Sequence, residues 1–303
     1  MSGFIIAVSG GQDSMALLGL LQDLKRLHHW QLMVWHGDHG WHDGSSRIAA
    51  ELSSWCQQRQ LPLQVDQAAP GEVPSEAKAR QWRYERLEQR GRQAGADVVT
   101  GHTASDRAET MLLQLARGSD LAGLAALPSV RPLSPEGPLL RRPLLHLQRR
   151  DTLQICQDLA LPIWEDPSNQ SPEFARNRIR QEVLPVLEEL HPGCSQRISD
   201  LAERVSQVRD SQTELSQMAL KLLQSTAGLD RRGLGALSSA TRRLLLAQWL
   251  QQQGVPALPA SQLDELSRRL DNGAPGGAAD LAGGWQLSWK GAELVLQQRA
   301  AER

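Results

Sequence analysis

Two glycines flanked by hydroxyl and carboxyl side chains follow the first apolar segment of the chain. The residues are Ser9-Gly10-Gly11-Gln12-Asp13-Ser14, and the apolar run Phe4–Val8 precedes them. A helix that begins after a glycine turn presents unpaired N–H groups and a positive dipole end to an anion, and serine hydroxyls add donors. The segment lacks the lysine of a Walker loop and the three spaced glycines of a dinucleotide site. It predicts a phosphate-binding loop of another kind, with a ligand-free tight turn as the alternative.

A second group of chemically capable side chains lies further along the chain. His102, Asp106 and Glu109 stand at i, i+4 and i+7, which predicts that they share one face of a helix. An imidazole and two carboxylates in one place can bind Mg²⁺, hold an amine or accept a proton. The alternative is structural, because acids favour the first turn of a helix and a lone histidine usually packs in the core.

Short apolar runs that alternate with helical segments position both groups. The runs with strand character are Phe4–Val8, Gln31–Trp35, Leu61–Val65 and Ala96–Thr100. Their alternation with helices predicts the α/β class with a doubly wound parallel sheet. Open α/β sheets bind ligands at the carboxyl ends of their strands, so the loops that follow the strands are expected at one edge. The loop His36–His42 joins that edge, and its histidines and aspartate match no zinc pattern well.

Composition limits the class of protein. The 303 residues are 40% hydrophobic and 22% charged, which is typical of a globular protein. The net charge of −1 provides no global field for nucleic acid, so such binding needs local basic patches, for which Arg141–Asp151 and Arg176–Arg180 are candidates. Cys56, Cys156 and Cys194 show no Cys-x-x-Cys spacing, which favours reduced thiols in a cytosolic protein. No signal peptide and no membrane span are predicted.

The C-terminal third has a different pattern. Leu184 to about Leu223 has the periodicity of one or two amphipathic helices, and Leu229–Leu270 is also helical. Trp285–Trp289 and Glu293–Leu296 predict a terminal β-hairpin. We therefore expect a catalytic domain over residues 1–195, a helical linker over 196–228 and a smaller, mainly α-helical domain over 229–303.

Several motifs resemble one known family. The segment Ser9–Ser14 resembles the PP-loop of ATP pyrophosphatases, and Gly101–Thr110 followed by Arg117–Leu124 is similar to the second signature of the tRNA(Ile)-lysidine synthetase family. Other segments similar to that family are Ala79–Tyr84, Arg142–Leu145, Trp164–Asn169, Arg176–Arg180 and Val183–Leu187. The resemblance covers residues 4–200, with Thr103, Ser105 and Arg107 as departures.

The resemblance implies a fold, a reaction and partners. The fold would be adenine-nucleotide α-hydrolase-like, and the small domain would bind tRNA. The enzyme would use ATP and Mg²⁺ to ligate free L-lysine to C2 of the wobble cytidine in the CAU anticodon of tRNA(Ile), through an adenylated intermediate. Lysidine, AMP and pyrophosphate would be the products, and codon reading would change from AUG to AUA. A cytoplasmic location without a membrane is expected, and a homodimer is compatible with the resemblance.

The resemblance also assigns residues. Those in the catalytic set are Asp13, Arg83, His102, Asp106, Glu109 and Arg180. Those that would bind ATP are Ser9, Gly10, Gly11, Gln12, Asp13 and Ser14, with Asp13 sharing Mg²⁺ with pyrophosphate. Those that would contact tRNA are Arg142, Arg176, Asn177 and Arg180. Two other functions stay open: a PP-loop tRNA thiolase, which commonly needs reactive cysteines, and a non-catalytic tRNA-binding module with a degenerate nucleotide site.

Overall fold

The computed structural model describes residues 3–40, 44–69, 71–164 and 175–298. Trp41, His42 and the predicted motif residues 165–169 lie outside this description. The chain divides into two compact units, residues 1–207 and 208–303. Among the described helices, none combines the length and the apolar character that crossing a bilayer requires.

The N-terminal unit alternates strands and helices as the sequence predicts. Its elements are β1 (Gly3–Ala7), α1 (Gln12–His28), β2 (Gln31–Asp38), α2 (Ser45–Gln58), β3 (Leu63–Gln67), α3 (Glu76–Ala94), β4 (Asp97–Thr100), α4 (Ala104–Ala116), α5 (Leu121–Leu124), β5 (Val130–Pro132), β6 (Leu139–Arg141), α6 (Arg149–Asp158), α7 (Ala175–Arg178), a π-helical turn (Ile179–Val183) and α8 (Leu184–Leu190). Helix α9 (Cys194–Leu222) begins in this unit and ends in the next.

The six strands form one sheet in the order β3-β2-β1-β4-β6-β5. All neighbours are parallel except β5, which is antiparallel to β6. Strand order therefore reverses between β1 and β4, where Ile5 pairs with Met33 on one side and Val98 on the other. Such a reversal opens a crevice at the carboxyl ends of the two strands. The doubly wound parallel sheet is confirmed, and both chemically capable segments follow the strands at the reversal.

Side-chain alternation along β1 supplies two cores on opposite faces of the sheet. Ile6 packs with Leu17 and Leu18 of α1, whereas Ile5 packs with Trp82 and Leu87 of α3. Each of these side chains is buried, and full burial of one such side chain contributes about 1.5–3 kcal/mol. The two cores fix α1 on one face and α3 on the other.

The C-terminal unit combines helices with a sheet. Strands β7 (Leu229–Asp230), β8 (Gly277–Leu281), β9 (Trp285–Lys290) and β10 (Glu293–Gln298) pair antiparallel in the order β7-β10-β9-β8. The helices of this unit after α9 are α10 (Arg231–Gly235), α11 (Ser239–Gln252) and α12 (Ala260–Arg269). The predicted terminal hairpin is confirmed as β9 and β10, and its turn contains Gly291 at φ 61°. Sequence patterns missed β8, which follows the turn-rich segment 272–277.

Candidate active site

The glycine loop after β1 is closed by the hydroxyls of its two serines. The backbone N–H of Ser9 donates to Ser14 Oγ at 3.2 Å, and Ser14 Oγ donates to the Gly11 carbonyl at 2.8 Å. Gly10 has φ 92°, a backbone conformation that residues other than glycine rarely adopt. Helix α1 then begins at Gln12 without a side-chain cap, which leaves N–H groups of its first turn available to an anion.

A second glycine permits close approach of the turn after β4. A Cβ on Gly101 would lie 2.6 Å from the carbonyl oxygen of Asp13. The segment Ser9–Ser14 and the segment that carries His102 therefore meet backbone to backbone. This contact depends on the absence of a side chain at Gly101.

Asp13 is held from the side by α6, a contact that no sequence pattern predicted. Thr152 is fully buried, and its Oγ1 donates to Asp13 Oδ1 at 2.5 Å. Gln12 Nε2 donates to the same Thr152 oxygen at 3.0 Å and to the Arg149 carbonyl at 2.7 Å. The carboxylate of Asp13 and the amide of Gln12 are thus both oriented by one helix start.

Asp13 and Asp106 influence each other electrostatically. Burial raises the pKa of Asp13, and repulsion from the carboxylate of Asp106 raises it further, while Thr152 and two arginines oppose both effects. Asp13, from the start of α1, and Asp106, from α4, therefore lie within electrostatic range of each other. Carboxylate oxygens are ligands that Mg²⁺ accepts, usually one or two together with substrate phosphates, so Asp13 fits such an ion. No cluster of three or more His, Cys, Asp or Glu side chains able to hold a metal occurs in the described ranges.

Helix α4 begins with a capping box. The N–H and hydroxyl of Thr103 both donate to Asp106 Oδ2, at 2.8 and 3.0 Å. The predicted shared helical face is correct for Asp106 and Glu109, but His102 precedes the helix, which starts at Ala104. His102 Nδ1 instead lies 2.9 Å from Thr100 Oγ1. The imidazole is therefore held by the end of β4.

Two arginines neutralise the two acids of α4. Arg176 Nε donates to Glu109 Oε2 and its terminal nitrogen to Asp106 Oδ1, both at 2.7 Å. Arg180 Nε donates to Glu109 Oε1 at 2.6 Å, and its terminal nitrogen lies 3.1 Å from Asp106 Oδ1. Arg180 lies in the π-helical turn, a feature frequently found at functional sites. The predicted acids Asp106 and Glu109 and the arginines Arg176 and Arg180, which were predicted to contact tRNA, thus form one ion-pair network, in which the acids are buried and the arginines partly buried.

The protonation states in this network follow from burial and charge. Burial alone would raise the pKa of Asp106, but Arg176, His102 and Arg180 outweigh it and hold that pKa below its usual range. Burial lowers the pKa of His102. The carboxylate of Asp106 raises this pKa, but the positive charges of Arg142, Arg176 and Arg80 lower it further. At neutral pH the structure therefore contains an ionised Asp106 beside a neutral His102.

The other predicted site residues surround this network. The Arg83 terminal nitrogen lies 3.3 Å from His39 Nε2, which links α3 to the segment after β2. Arg142 is buried and donates to the Pro128 carbonyl at 2.7 Å, and Asn177 is buried on α7. Arg107, one of the three positions that differ from the pattern of the family, is also buried. Its guanidinium donates to the Leu127 carbonyl and pairs with Glu203 at 2.9 Å. Arg107 therefore has a structural role in this chain.

Comparisons with known proteins show the family to which the chain belongs. A family model described as a PP-loop domain matches residues 1–187, and one described as a TilS substrate binding domain matches residues 229–300. The tRNA(Ile)-lysidine synthase of Parasynechococcus marenigrum (strain WH8102) is 67% identical over 300 residues, which cover 98% of this chain and 89% of that protein. The chain belongs to the tRNA(Ile)-lysidine synthase family. Its members are ligases that form a carbon–nitrogen bond, so the predicted enzyme class is confirmed.

Other relatives agree with the assignment. The tRNA(Ile)-lysidine synthase of Prochlorococcus marinus (strain NATL1A) is 38% identical over 308 residues, which cover 98% of this chain and 94% of that protein. Among solved structures, a U34-tRNA thiolase of Methanococcus maripaludis matches with a TM-score of 0.57 at 18% identity, over 67% of this chain and 71% of that one. That likeness shows a shared fold. Use of ATP by the chain follows from the PP-loop domain.

Proposed function

We propose that this enzyme modifies the wobble cytidine of tRNA(Ile) in two steps. In the first, the C2 oxygen of the cytidine attacks the α-phosphorus of ATP, an O–P bond forms, and pyrophosphate leaves with the electron pair of the broken bond. In the second, the ε-amine of lysine attacks C2, the C2–O bond breaks, and AMP leaves. The ε-ammonium group loses one proton to water before the attack and a second after the C–N bond has formed, and lysidine results.

One observation carries the proposal. The segment that leads into α4 meets the segment that carries Asp13 at Gly101, where an added Cβ would lie 2.6 Å from the Asp13 carbonyl oxygen, so the loop after β1 and the acids of α4 border the same space. A two-step ligation needs this arrangement, because the activated base and the incoming amine must meet without release of the intermediate. The family of the chain supports the same reaction.

The loop residues are suited to the departing pyrophosphate. The start of α1 is formed by the loop residues Ser9, Gly10, Gly11, Gln12 and Ser14. There, N–H groups and the helix dipole would stabilise the negative charge that develops on the leaving group. Mg²⁺ held by Asp13 would supply further neutralisation of the phosphates. Thr152 would keep the carboxylate in place for this role.

The acids of α4 are suited to a cationic amine. Asp106 stays ionised because its pKa is held low, so it provides a permanent negative charge for the lysine side chain rather than a proton acceptor. The ammonium group would share carboxylate oxygens with Arg176 and Arg180 or displace one of the two guanidinium groups. His102 is neutral at neutral pH, so it adds no positive charge that would repel the ammonium group, and its lowered pKa makes it a weak proton acceptor.

The arginines around the acids are suited to the RNA. Arg142, Arg176 and Arg180 with Asn177 surround α4 and carry the donors that phosphate and nucleobase edges accept. Arg83, on α3, would contact the cytidine or the ATP phosphates. We expect the reaction to take place in the cytoplasm, where tRNA and free lysine are available.

Incubation with a tRNA(Ile) transcript, ATP and radiolabelled lysine tests the proposal. We expect one lysine in the tRNA for each AMP released. A transcript with uridine at the wobble position is the matched control and should remain unlabelled. Absence of label in the cytidine transcript, under conditions in which ATP and tRNA bind, would exclude the ligase function.

A further inference from the structure

A single tyrosine organises a group of arginines beside the candidate active site. Tyr84 is the only tyrosine of the chain. The guanidinium of Arg80, one turn earlier on α3, lies 5.3 Å from the centroid of its ring. The guanidinium of Arg131, from β5, lies 5.1 Å from the same centroid. Both distances are within the range of cation–π contacts.

A third guanidinium supports this group from the protein interior. Arg142 is 2% exposed, and its side chain shares a hydrogen bond with the hydroxyl of Tyr84. Its terminal nitrogen also donates to the Pro128 carbonyl at 2.7 Å. The Nε of Arg142 is buried and has no hydrogen-bond partner within the described ranges. Hydrogen bonds to Tyr84 and Pro128 therefore hold the interior end of the cluster, and one of its buried donors has no acceptor among the described residues.

Among the described residues, no acid neutralises the positive charge of the cluster. In the part of the chain that the structure describes, neither Arg80 nor Arg131 pairs with a carboxylate; Arg131 donates to the Pro132 carbonyl only. By contrast, Arg90 and Arg92 on the same helix pair with Asp66 and Glu88. Burial would raise the pKa of Tyr84, but Arg80 and Arg142 outweigh it and lower that pKa, as expected beside uncompensated positive charge.

We propose that Arg80, Tyr84, Arg131 and Arg142 form a phosphate-binding site for the RNA strand, separate from the loop at Ser9–Ser14. Guanidinium groups match phosphate geometry with two parallel donors, and Tyr84 preorganises two of them. Because two guanidinium groups already lie against the ring, the surface binds backbone phosphate rather than stacking a base. Arg80 and Arg142 also lower the pKa of His102, so the charges of the cluster reach the candidate active site. This site rests on the proposed function.

The only tyrosine allows a direct spectroscopic test. Protein labelled with ¹³C at the tyrosine ζ carbon gives one resonance, whose pH dependence around pH 10 reports the pKa of Tyr84. A phosphate bound to the cluster neutralises the guanidinium groups, so an anticodon stem–loop RNA should raise this pKa. ATP with Mg²⁺, added alone, is the second arm of the experiment and should leave the pKa unchanged.

Substitutions provide an independent measurement. Arg131→Gln should weaken binding of the stem–loop and reduce the slope of log K against log salt by about 0.7, the value for one phosphate contact on a single strand. Arg131→Lys should restore much of the slope, since the charge remains. The matched control is Arg86→Gln: Arg86 lies on the same helix, 5.8 Å from the Trp82 ring centroid, but has Glu72 as a partner at 3.8 Å. It should leave the slope unchanged.

Each outcome decides the matter. A pKa rise with RNA alone, together with the reduced slope, supports the site. A rise with ATP alone assigns the cluster to the nucleotide and overturns the RNA site, as does an unmoved resonance while the RNA binds. Normal lysine incorporation with an unmoved resonance would contradict this site and leave the proposed function intact, whereas absent incorporation contradicts the proposed function itself.

Discussion

Arg176 Nε lies 2.7 Å from Glu109 Oε2, deep enough that the Glu109 side chain has no exposure to solvent. Arg180 contacts the other oxygen of the same carboxylate. Glu109 is therefore central to the charge balance of the site, because its removal leaves two partly buried guanidinium groups with Asp106 as their remaining acid in this network.

We expect Glu109→Gln to lower the free energy of unfolding by about 3 kcal/mol, because breaking a buried ion pair leaves an uncompensated charge. Lysine incorporation should be lost, whereas ATP binding by the folded protein should persist. Urea unfolding and the labelled-lysine assay measure the two effects. Glu182→Gln is the control, since Glu182 pairs with Arg178 at the surface and its loss should leave the stability nearly unchanged. A Glu109→Gln enzyme of normal activity would show that the acids of α4 are not part of the site.

Substitution of Asp13 is expected to lower activity without lowering stability. Its pKa is raised by burial and by Asp106, so the ionised side chain costs the folded state free energy at every pH above its ordinary value of 3.8. Asp13→Asn should therefore be at least as stable as the wild type at pH 7 in thermal unfolding.

The same variant should release AMP more slowly by a factor of about 100 or more, because the carboxylate that would hold Mg²⁺ against the departing pyrophosphate is lost. Asp23→Asn, an exposed acid on the same helix, should change neither property. A less stable but fully active Asp13→Asn enzyme would contradict both the electrostatics and the role.

Two glycine substitutions separate folding from ligand binding. A Cβ on Gly101 would meet backbone atoms of Asp13, so Gly101→Ala should destabilise the protein by about 1–3 kcal/mol and lower activity. Among the described residues, the atom that a Cβ on Gly11 would contact is Ser9 Oγ at 3.6 Å, and the φ of −72° at Gly11 suits alanine.

Gly11→Ala should therefore retain wild-type stability but lose ATP affinity, because phosphate oxygens need the space beside the backbone. Calorimetric titration with ATP and thermal unfolding test both variants together. Unchanged ATP affinity in Gly11→Ala would mean that the phosphates do not pack against this loop.

The surroundings of Glu188, which lies outside the candidate active site, predict a pH dependence of the stability of the folded state. Hydrogen bonds from Ser195 and from the N–H groups of Ser195 and Gly193 lower its pKa from 4.5 to about 2 at the start of α9. A depressed pKa means that the ionised carboxylate stabilises the folded state above pH 4.5, and this contribution disappears as the pH falls through about 2.

We expect Glu188→Gln to cost about 1 kcal/mol at pH 7 and to flatten this part of the acid-unfolding curve. Glu189→Gln, its exposed neighbour, is the control. Parallel curves for wild type and Glu188→Gln below pH 4.5 would rule out this capping role.

Local patterns predicted the sheet wherever an apolar run was long enough. The segments Phe4–Val8, Gln31–Trp35 and Ala96–Thr100 correctly predicted β1, β2 and β4, and Leu61–Val65 predicted β3, which begins two residues later at Leu63. Strands β5 and β6 have three residues each within a proline-rich segment, and their pairing depends on tertiary contacts that no local pattern carries.

The site was predictable to the same extent. The spacing of Asp106 and Glu109 identified the acids, but their partners Arg176 and Arg180 come together with them only through the fold. Thr152 had no local signal at all, since its role is set by the packing of α6 beside α1. His102 was assigned to the helix because i, i+4 spacing does not reveal that Thr103 caps it.

The central claim is that one site first adenylates the RNA and then delivers the amine. ATP labelled at its α-phosphorus, incubated with enzyme and tRNA(Ile) but without lysine, tests it most directly. We predict that label becomes attached to the tRNA and is released as AMP when lysine is added. Lysine incorporation that proceeds while label never joins the RNA would contradict the account.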